Sequence, residues 1–360
     1  MTRVAIRCDA SAGIGWGHLK RCLALAHALR ARGAAVRFVA APGDVDVRAM
    51  LHAAGFEGSL LPSPAPDVAA DAAMTVTALA EWAPDRPDIV IVDHYSLDAR
   101  WHDAVRAASG ACIAVIDDLA DRPLAADLVV DHNPTTEAPG GAGKYAPVLT
   151  RPAACLLGAA YALLDPAYRQ HASHRFSATV ASVGIFMGGS DPADHSRWAW
   201  RACREQAGWL GPIEIATTAS NPNLPGLQSL ARDDGLLRLQ IDAPDLADFH
   251  ARHDLQIGAG GGALWERCFV GVPTLALICA ANQQHSVPPL AAAGVVCAWP
   301  AIEQADAALP ALGRRIAELV GSPAERLALH RRSLQWVDGQ GADRVAQAVL
   351  ALASADGAGA

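Results

Sequence analysis

The chain lacks any basic excess. Its 29 Lys and Arg face 37 Asp and Glu, a formal net charge of −8. A protein that tracks nucleic acid must neutralise phosphates, so no nucleic-acid partner is expected, although one local anion site is not excluded. Long apolar runs are missing as well. None reaches the roughly 18 residues of a membrane helix. The nearest, Val270 to Ala281, is interrupted by Gly271 and Pro273 and stopped by Asn282, and reads as a short buried strand with its flanks. Arg3 and Arg7 flank the first apolar residues, so no signal peptide is expected and the reading is a cytoplasmic protein without a membrane span. None of the eight cysteines (Cys8, Cys22, Cys112, Cys155, Cys203, Cys268, Cys279 and Cys297) forms a C-x-x-C pair, so a zinc site is not expected. Most lie in apolar segments, as reduced buried thiols do. No Asp-x-Asp stands at a strand end. Asp44-Val45-Asp46 follows Pro42-Gly43 and reads as a helix cap. Metal-independent chemistry without a cofactor is therefore expected. Both the G-x-G-x-x-G spacing and the Lys-Ser/Thr ending of a P-loop are absent.

What is present is a glycine turn in a telling place. Gly13-Ile14-Gly15-Trp16-Gly17-His18 follows the apolar start Val4-Ala5-Ile6 and leads into a helical pattern with Leu19, Cys22, Leu23, Ala26 and Leu29 on one face. Glycines ahead of a helix let the backbone approach a ligand closely. The free N–H groups of the helix start attract phosphate. His18, the side-chain type best suited to proton exchange near neutral pH, stands at the mouth of this turn. The same pattern also suits tight helix–strand packing with no ligand at all.

Length and a hydrophobic content of 52% fit two ordinary α/β domains. Strands are expected at 3–8, 35–40, 89–93, 112–116 and 127–131, and helices at 18–32, 45–54, 71–82 and 98–109. Ile89-Val90-Ile91-Val92 ends in Asp93-His94-Tyr95, and Ile113-Ala114-Val115-Ile116 ends in Asp117-Asp118. Near-continuous apolar strands belong to parallel sheets covered on both faces, whose ligands lie outside the carboxyl ends. His18, Asp93, His94, Tyr95, Asp117 and Asp118 are thus expected along one rim. The connection is placed near 166–182. Val183-Gly184-Ile185-Phe186-Met187 then restarts the pattern, with Gly188-Gly189-Ser190-Asp191 as the turn before a helix. Further strands are expected at 213–218, 236–241, 255–258, 272–279 and 295–299. The domains read as 1–170, 180–330 and a C-terminal helix and tail, 331–360.

A second glycine turn, Gly258 to Gly262, follows Leu255-Gln256-Ile257 and opens the helix carrying Leu264-Trp265-Glu266. A carboxylate one turn into such a helix can accept from both hydroxyls of a ribose. The same position suits an exposed Glu that only favours the helix dipole. Asn282-Gln283 arrive at the same rim with amides suited to phosphate and sugar, or to capping the next helix.

Taken in order, these segments resemble the UDP-sugar hydrolases of pseudaminic acid biosynthesis. The resemblance lies in Ser11 to Arg21, Val92-Asp93-His94-Tyr95, Ile116-Asp117-Asp118, Leu157-Gly158 with Tyr161 to Leu164, Met187 to Asp191, Ser220-Asn221-Pro222-Asn223-Leu224, Glu266 and Asn282-Gln283. It implies an α/β fold of GT-B type: two facing doubly wound Rossmann-like domains with a cleft between them, the second holding UDP. It implies hydrolysis of UDP-2,4-diacetamido-2,4,6-trideoxy-β-L-altropyranose to UDP and the free sugar, with other enzymes of the sugar pathway as possible partners. His18 is then expected as general base or as a positioning group, with Tyr95 orienting water or a sugar hydroxyl. Substrate contacts are expected from Gly13, Gly15, Gly17, Lys20, Arg21, Asp93, His94, Gly188, Gly189, Ser190, Ser220, Asn221, Gly260, Gly261, Glu266, Asn282 and Gln283. Asp165-Pro166 and the Gly260-Gly261-Gly262 run depart from the family's usual residues, which leaves the sugar open. A glycosyltransferase with a UDP-sugar donor, or a nucleotide-sugar binding protein without turnover, would share most of these features.

Overall fold

The computed structural model describes residues 1–10, 16–43, 45–82, 86–135, 140–170, 174–243, 245–300 and 305–356. The chain forms two units, Met1–Pro166 with Gly339–Ala360, and Ala167–Asp338. In the first, elements follow in the order β1 (Arg3–Cys8), α1 (Gly17–Ala31), β2 (Ala35–Ala40), α2 (Val47–Ala53), β3 (Glu57–Leu60), α3 (Val68–Ala80), β4 (Ile89–Asp93), α4 (Ala99–Ser109), β5 (Cys112–Ile116), β6 (Leu128–Asp131) and β7 (Ala154–Leu157). The strands form one parallel sheet ordered β3-β2-β1-β4-β5-β6-β7.

Strand periodicity explains how this sheet is covered. Val4, Ile6, Cys8, Ile89 and Ile91 enter one core together with Leu19, Cys22, Leu25 and Leu29 of α1. Ala5, Val90 and Val92 alternate to the other face, against Leu79, Trp101 and Val105 of α3 and α4. Side chains of period two thus serve two cores, as a sheet layered between helices requires. Asp67 and Asp98 cap α3 and α4 by accepting from Ala70 N and Arg100 N.

The second unit repeats the plan with β8 (Val183–Phe186), α5 (His195–Arg201, continued by a π-helical turn Ala202–Gln206), β9 (Ile213–Thr217), α6 (Leu224–Asp233), β10 (Leu237–Ile241), α7 (Ala247–Arg252), β11 (Leu255–Ala259), α8 (Ala263–Val270), β12 (Thr274–Leu277), α9 (Val287–Ala292), β13 (Cys297–Trp299), α10 (Ala305–Gly321) and α11 (Pro323–Trp336). Its parallel sheet runs β10-β9-β8-β11-β12-β13. In both sheets the strand order reverses beside the first strand, between β1 and β4 and between β8 and β11. Such a switch point opens a crevice at the carboxyl ends.

Two strands escape the sequence reading. β3 is a half-polar edge strand, Glu57-Gly58-Ser59-Leu60, and β7 is a four-residue edge strand preceded by Pro152. Short edges carry little periodic signal. The segment 331–360, set apart in the sequence reading, is shared out instead. Its first residues complete α11 in the second unit. The final helix, α12 (Gly341–Asp356), belongs to the first unit and packs on α1, β4 and β5. Its Ala342, Val345, Ala346 and Val349 are fully buried in the α1 core. Gly341 is pressed on the Ala162 backbone, where a Cβ would lie 2.2 Å from the carbonyl oxygen. Among the described residues no helix is long and apolar enough to cross a membrane.

Candidate functional site

Both sites sit at switch points. In the first unit, β1 and β4 pair with Cys8 opposite Asp93. Asp93 therefore ends its strand beside the start of α1, where His18 is the second helical residue. His18 Nδ1 lies 2.5 Å from Asp93 Oδ1. Arg21 donates Nε to Asp93 Oδ2 and Nη2 to Oδ1, both at 2.6 Å, and the Cys22 thiol points at Oδ2 from 3.5 Å. Burial by itself would raise the Asp93 pKa. The Arg21 cation and His18 outweigh it and hold the carboxyl well below the ordinary carboxylate range. An ionised Asp93 fixes the imidazole with its proton on Nδ1. Nε2, which has no hydrogen bond among the described residues, is left as the basic nitrogen. A carboxylate that orients histidine in this way also stabilises the imidazolium once a proton is taken.

The surrounding groups are brought in by the neighbouring strand ends. Tyr95 packs edge-on against His18, ring centroids 4.7 Å apart, and donates its hydroxyl to Asp118 Oδ2 at 3.0 Å. Arg21 Nη1 reaches the same oxygen at 3.7 Å. Arg21, expected at the substrate, is thus a half-buried clamp between Asp93 and Asp118. His94 turns the other way: its Nδ1 accepts from Ser96 N, and its Nε2 faces Asp9 Oδ2 at 3.4 Å. Asp117 ties Arg122 and the Leu119 and Ala120 amides into a turn. Lys20 and Gly17 are exposed. Gly13 and Gly15 lie outside the described residues.

Two neighbours carry no motif. Lys144 Nζ donates to the Asp118 carbonyl at 2.7 Å and pairs with Asp131 Oδ2 at 2.9 Å. His132 is buried, and desolvation followed by the Arg21 charge pushes its pKa down to about 3. A lone Lys in Gly143-Lys144-Tyr145 and a His one residue beyond β6 show nothing in sequence that separates them from loop residues.

In the second unit the two glycine turns are not equivalent. After β8, the Asp191 carboxylate accepts from His195 N and Ser196 N, both at 2.9 Å. The start of α5 is therefore filled by the chain's own anion. Gly188, Gly189 and Ser190 are half-buried in the turn before it, and Thr218 Oγ1 donates to the Gly189 carbonyl and meets Ser220 Oγ, both at 2.8 Å. Asn221 is buried and donates to Thr217 Oγ1, so it braces its turn.

The turn after β11 is open. Gly260 fits only as glycine, because a Cβ there would meet Val287 Cγ2 at 2.1 Å. Its N–H is shared between Leu277 O and Gln283 Oε1, and Gln283 Oε1 also accepts from Cys279 N at 2.8 Å. Gln283 is thus a buried brace under the turn, with Asn282 half-buried next to it. The N–H groups of Gly261, Gly262 and Ala263 find no acceptor among the described residues. Arg267 on the same helix is fully buried, with Nη2 on the Ala259 carbonyl at 2.5 Å and Nε and Nη1 without partners among the described residues. Burial pulls its pKa down to about 10, which still leaves a cation. Three N–H groups without an acceptor at the start of a helix that carries a buried positive charge are chemically suited to an anion. Glu266 stands on the same helix, with Tyr168 donating to its Oε2 at 2.7 Å.

No family model matches the chain. The UDP-2,4-diacetamido-2,4,6-trideoxy-β-L-altropyranose hydrolase of Campylobacter jejuni is 25% identical over 295 residues, which cover 81% of this chain and 97% of that protein. Among solved structures, Acinetobacter baumannii MurG is 14% identical with a TM-score of 0.65, covering 98% of this chain and all of that one. Arabidopsis thaliana UGT89C1 complexed with UDP is 14% identical with a TM-score of 0.68 over 97% of this chain and 100% of that one. The likeness establishes the fold as GT-B type, with two doubly wound Rossmann-like units.

Proposed function

We propose that this protein is an enzyme that hydrolyses a UDP-sugar to UDP and the free sugar, and that the sugar is 2,4-diacetamido-2,4,6-trideoxy-β-L-altropyranose. The observation that carries the reading is the His18–Asp93 pair, in which Asp93 takes Nδ1 and Nε2 makes no hydrogen bond among the described residues. Water oxygen attacks the anomeric carbon as His18 Nε2 takes its proton, and Asp93 stabilises the imidazolium. The bond from that carbon to the diphosphate oxygen breaks. UDP leaves with the bonding electron pair, and the second unit is where a diphosphate is bound, on the Gly261, Gly262 and Ala263 N–H groups with the Arg267 charge in support. The proton then returns to solvent. Glu266 accepts from the ribose hydroxyls. The relative of that activity, matched along nearly its whole length, supports the choice of sugar.

The test is incubation of the purified protein with the UDP-sugar and no acceptor. UDP is followed by chromatography and the sugar is identified by NMR. Release of both supports the reading. UDP release only after an alcohol is added would make it a transferase. Tight binding without release would make it a binding protein.

A further inference from the structure

We infer that Tyr168 is a positioning residue that holds the Glu266 carboxylate in place and thereby sets selection of ribose over deoxyribose. The inference rests on the reading of Glu266 as the ribose acceptor. Tyr168 comes from the short 3-10 turn Pro166–Gln170, far from Glu266 in sequence, yet donates its hydroxyl to Oε2 at 2.7 Å. Burial, with the Glu266 charge beside it, raises the Tyr168 pKa, so the hydroxyl keeps its proton and remains a donor. An O–H bond to a carboxylate is among the strong ones.

His250 approaches the same oxygen from α7. Its orientation is dictated by a chain of bonds. Gln256 Nε2 donates to the Phe249 carbonyl at 3.1 Å, which turns Gln256 Oε1 toward His250 Nδ1 at 2.8 Å. Nδ1 therefore carries the hydrogen, and Nε2, which faces Glu266 Oε2 from 3.4 Å, has no hydrogen to donate in the neutral ring and makes no hydrogen bond among the described residues, which leaves the Tyr168 hydroxyl as the group that holds this oxygen. His250 is fully buried, so its ring has no solvent-facing alternative. A long carboxylate side chain would otherwise lose rotamer freedom on binding. Held at one oxygen by the Tyr168 hydroxyl from another element, it is pre-set before the nucleotide arrives.

The ring of Tyr168 also packs against Ala247 and Val270, and Tyr168→Phe keeps that packing while deleting only the hydroxyl. Calorimetric affinities for UDP and 2′-deoxy-UDP are measured in the wild type, Glu266→Ala and Tyr168→Phe. The wild type should prefer UDP by about tenfold or more, the worth of one charged hydrogen bond. Glu266→Ala should erase that preference. Tyr168→Phe should reduce it to about threefold or less by weakening UDP and leaving 2′-deoxy-UDP unchanged. A Tyr168→Phe protein that keeps the full preference, or weakens both nucleotides alike, overturns the positioning role while Glu266→Ala still reports on the site. A preference that survives Glu266→Ala, or is missing in the wild type, overturns the ribose reading and this inference with it.

Discussion

Asp93 decides what His18 can do. A base at this position is expected to be worth about 10²–10⁴ in rate, so His18→Asn should lower kcat by that order while KM stays nearly constant in steady-state assays. A positioning role would raise KM instead. The Asp93 carboxylate also makes stability depend on pH, and the sign is fixed. Burial pushes its pKa up, but Arg21 and His18 hold it lower in the folded protein than in the unfolded chain, where aspartate titrates near ~3.9. The stabilisation is therefore complete above that value and is lost progressively below it, as pH falls toward and through the lower folded-state pKa. Urea midpoints of wild type and Asp93→Asn should differ most near neutral pH and converge on acidification. At this scale the sequence marks which residues end a strand, and His18, Asp93, Tyr95 and Asp118 gather as their spacing suggests. It does not show which way a side chain turns. Arg21, Asn221 and Gln283 look like ligands in sequence and are internal braces in space, while Lys144 and His132 join through a loop of no recognisable pattern.

The turn ahead of α8 is the element on which nucleotide binding is expected to depend. Gly260→Ala places a methyl 2.1 Å from Val287 Cγ2. Overpacking of this kind costs about 1–3 kcal/mol, so a lower melting temperature and a UDP affinity reduced about tenfold or more are expected, by differential scanning fluorimetry and calorimetry. Since backbone N–H groups and Arg267 supply the positive character at this turn, hydrolysis should persist in EDTA. Activity that vanishes with chelator and returns with Mg²⁺ would refute that. The companion turn before α5 shows the limit of motif reading: Gly188-Gly189-Ser190-Asp191 looks like a second cradle, but the Asp191 carboxylate already accepts from His195 N and Ser196 N. Long apolar or amphipathic elements were legible because their periods are unambiguous. The edge strands β3 and β7 were not, because four residues cannot establish a period.

Across the whole molecule, the strand order 3-2-1-4-5-6 recurs in both sheets, and the restart of the pattern at Val183 is visible in sequence. The destination of α12 is not. An apolar stripe at Ala342, Val345, Ala346 and Val349 states that the helix must be covered, without stating by which core. Ending the chain after Asp338 should expose the α1 side of the first sheet. The two valines alone are worth on the order of 3–6 kcal/mol by transfer, against a typical total of about 5–15 kcal/mol. A truncated protein recovered mainly in the insoluble fraction, or melting well below the intact chain, is the expected result. A truncated protein with an unchanged melting profile would show that α12 is dispensable.

The return of α12 also imposes a timetable on biosynthesis. The first 166 residues leave the ribosome with their sheet strands complete, yet the helix that packs on α1, β4 and β5 is not translated until the whole of Ala167–Asp338 has followed. At about 5–20 residues per second, that interval lasts on the order of ten to thirty seconds. Throughout it, the nascent first unit presents an uncovered apolar face, a natural target for chaperones that survey emerging chains, while the later unit has all of its own sequence in hand and can fold first.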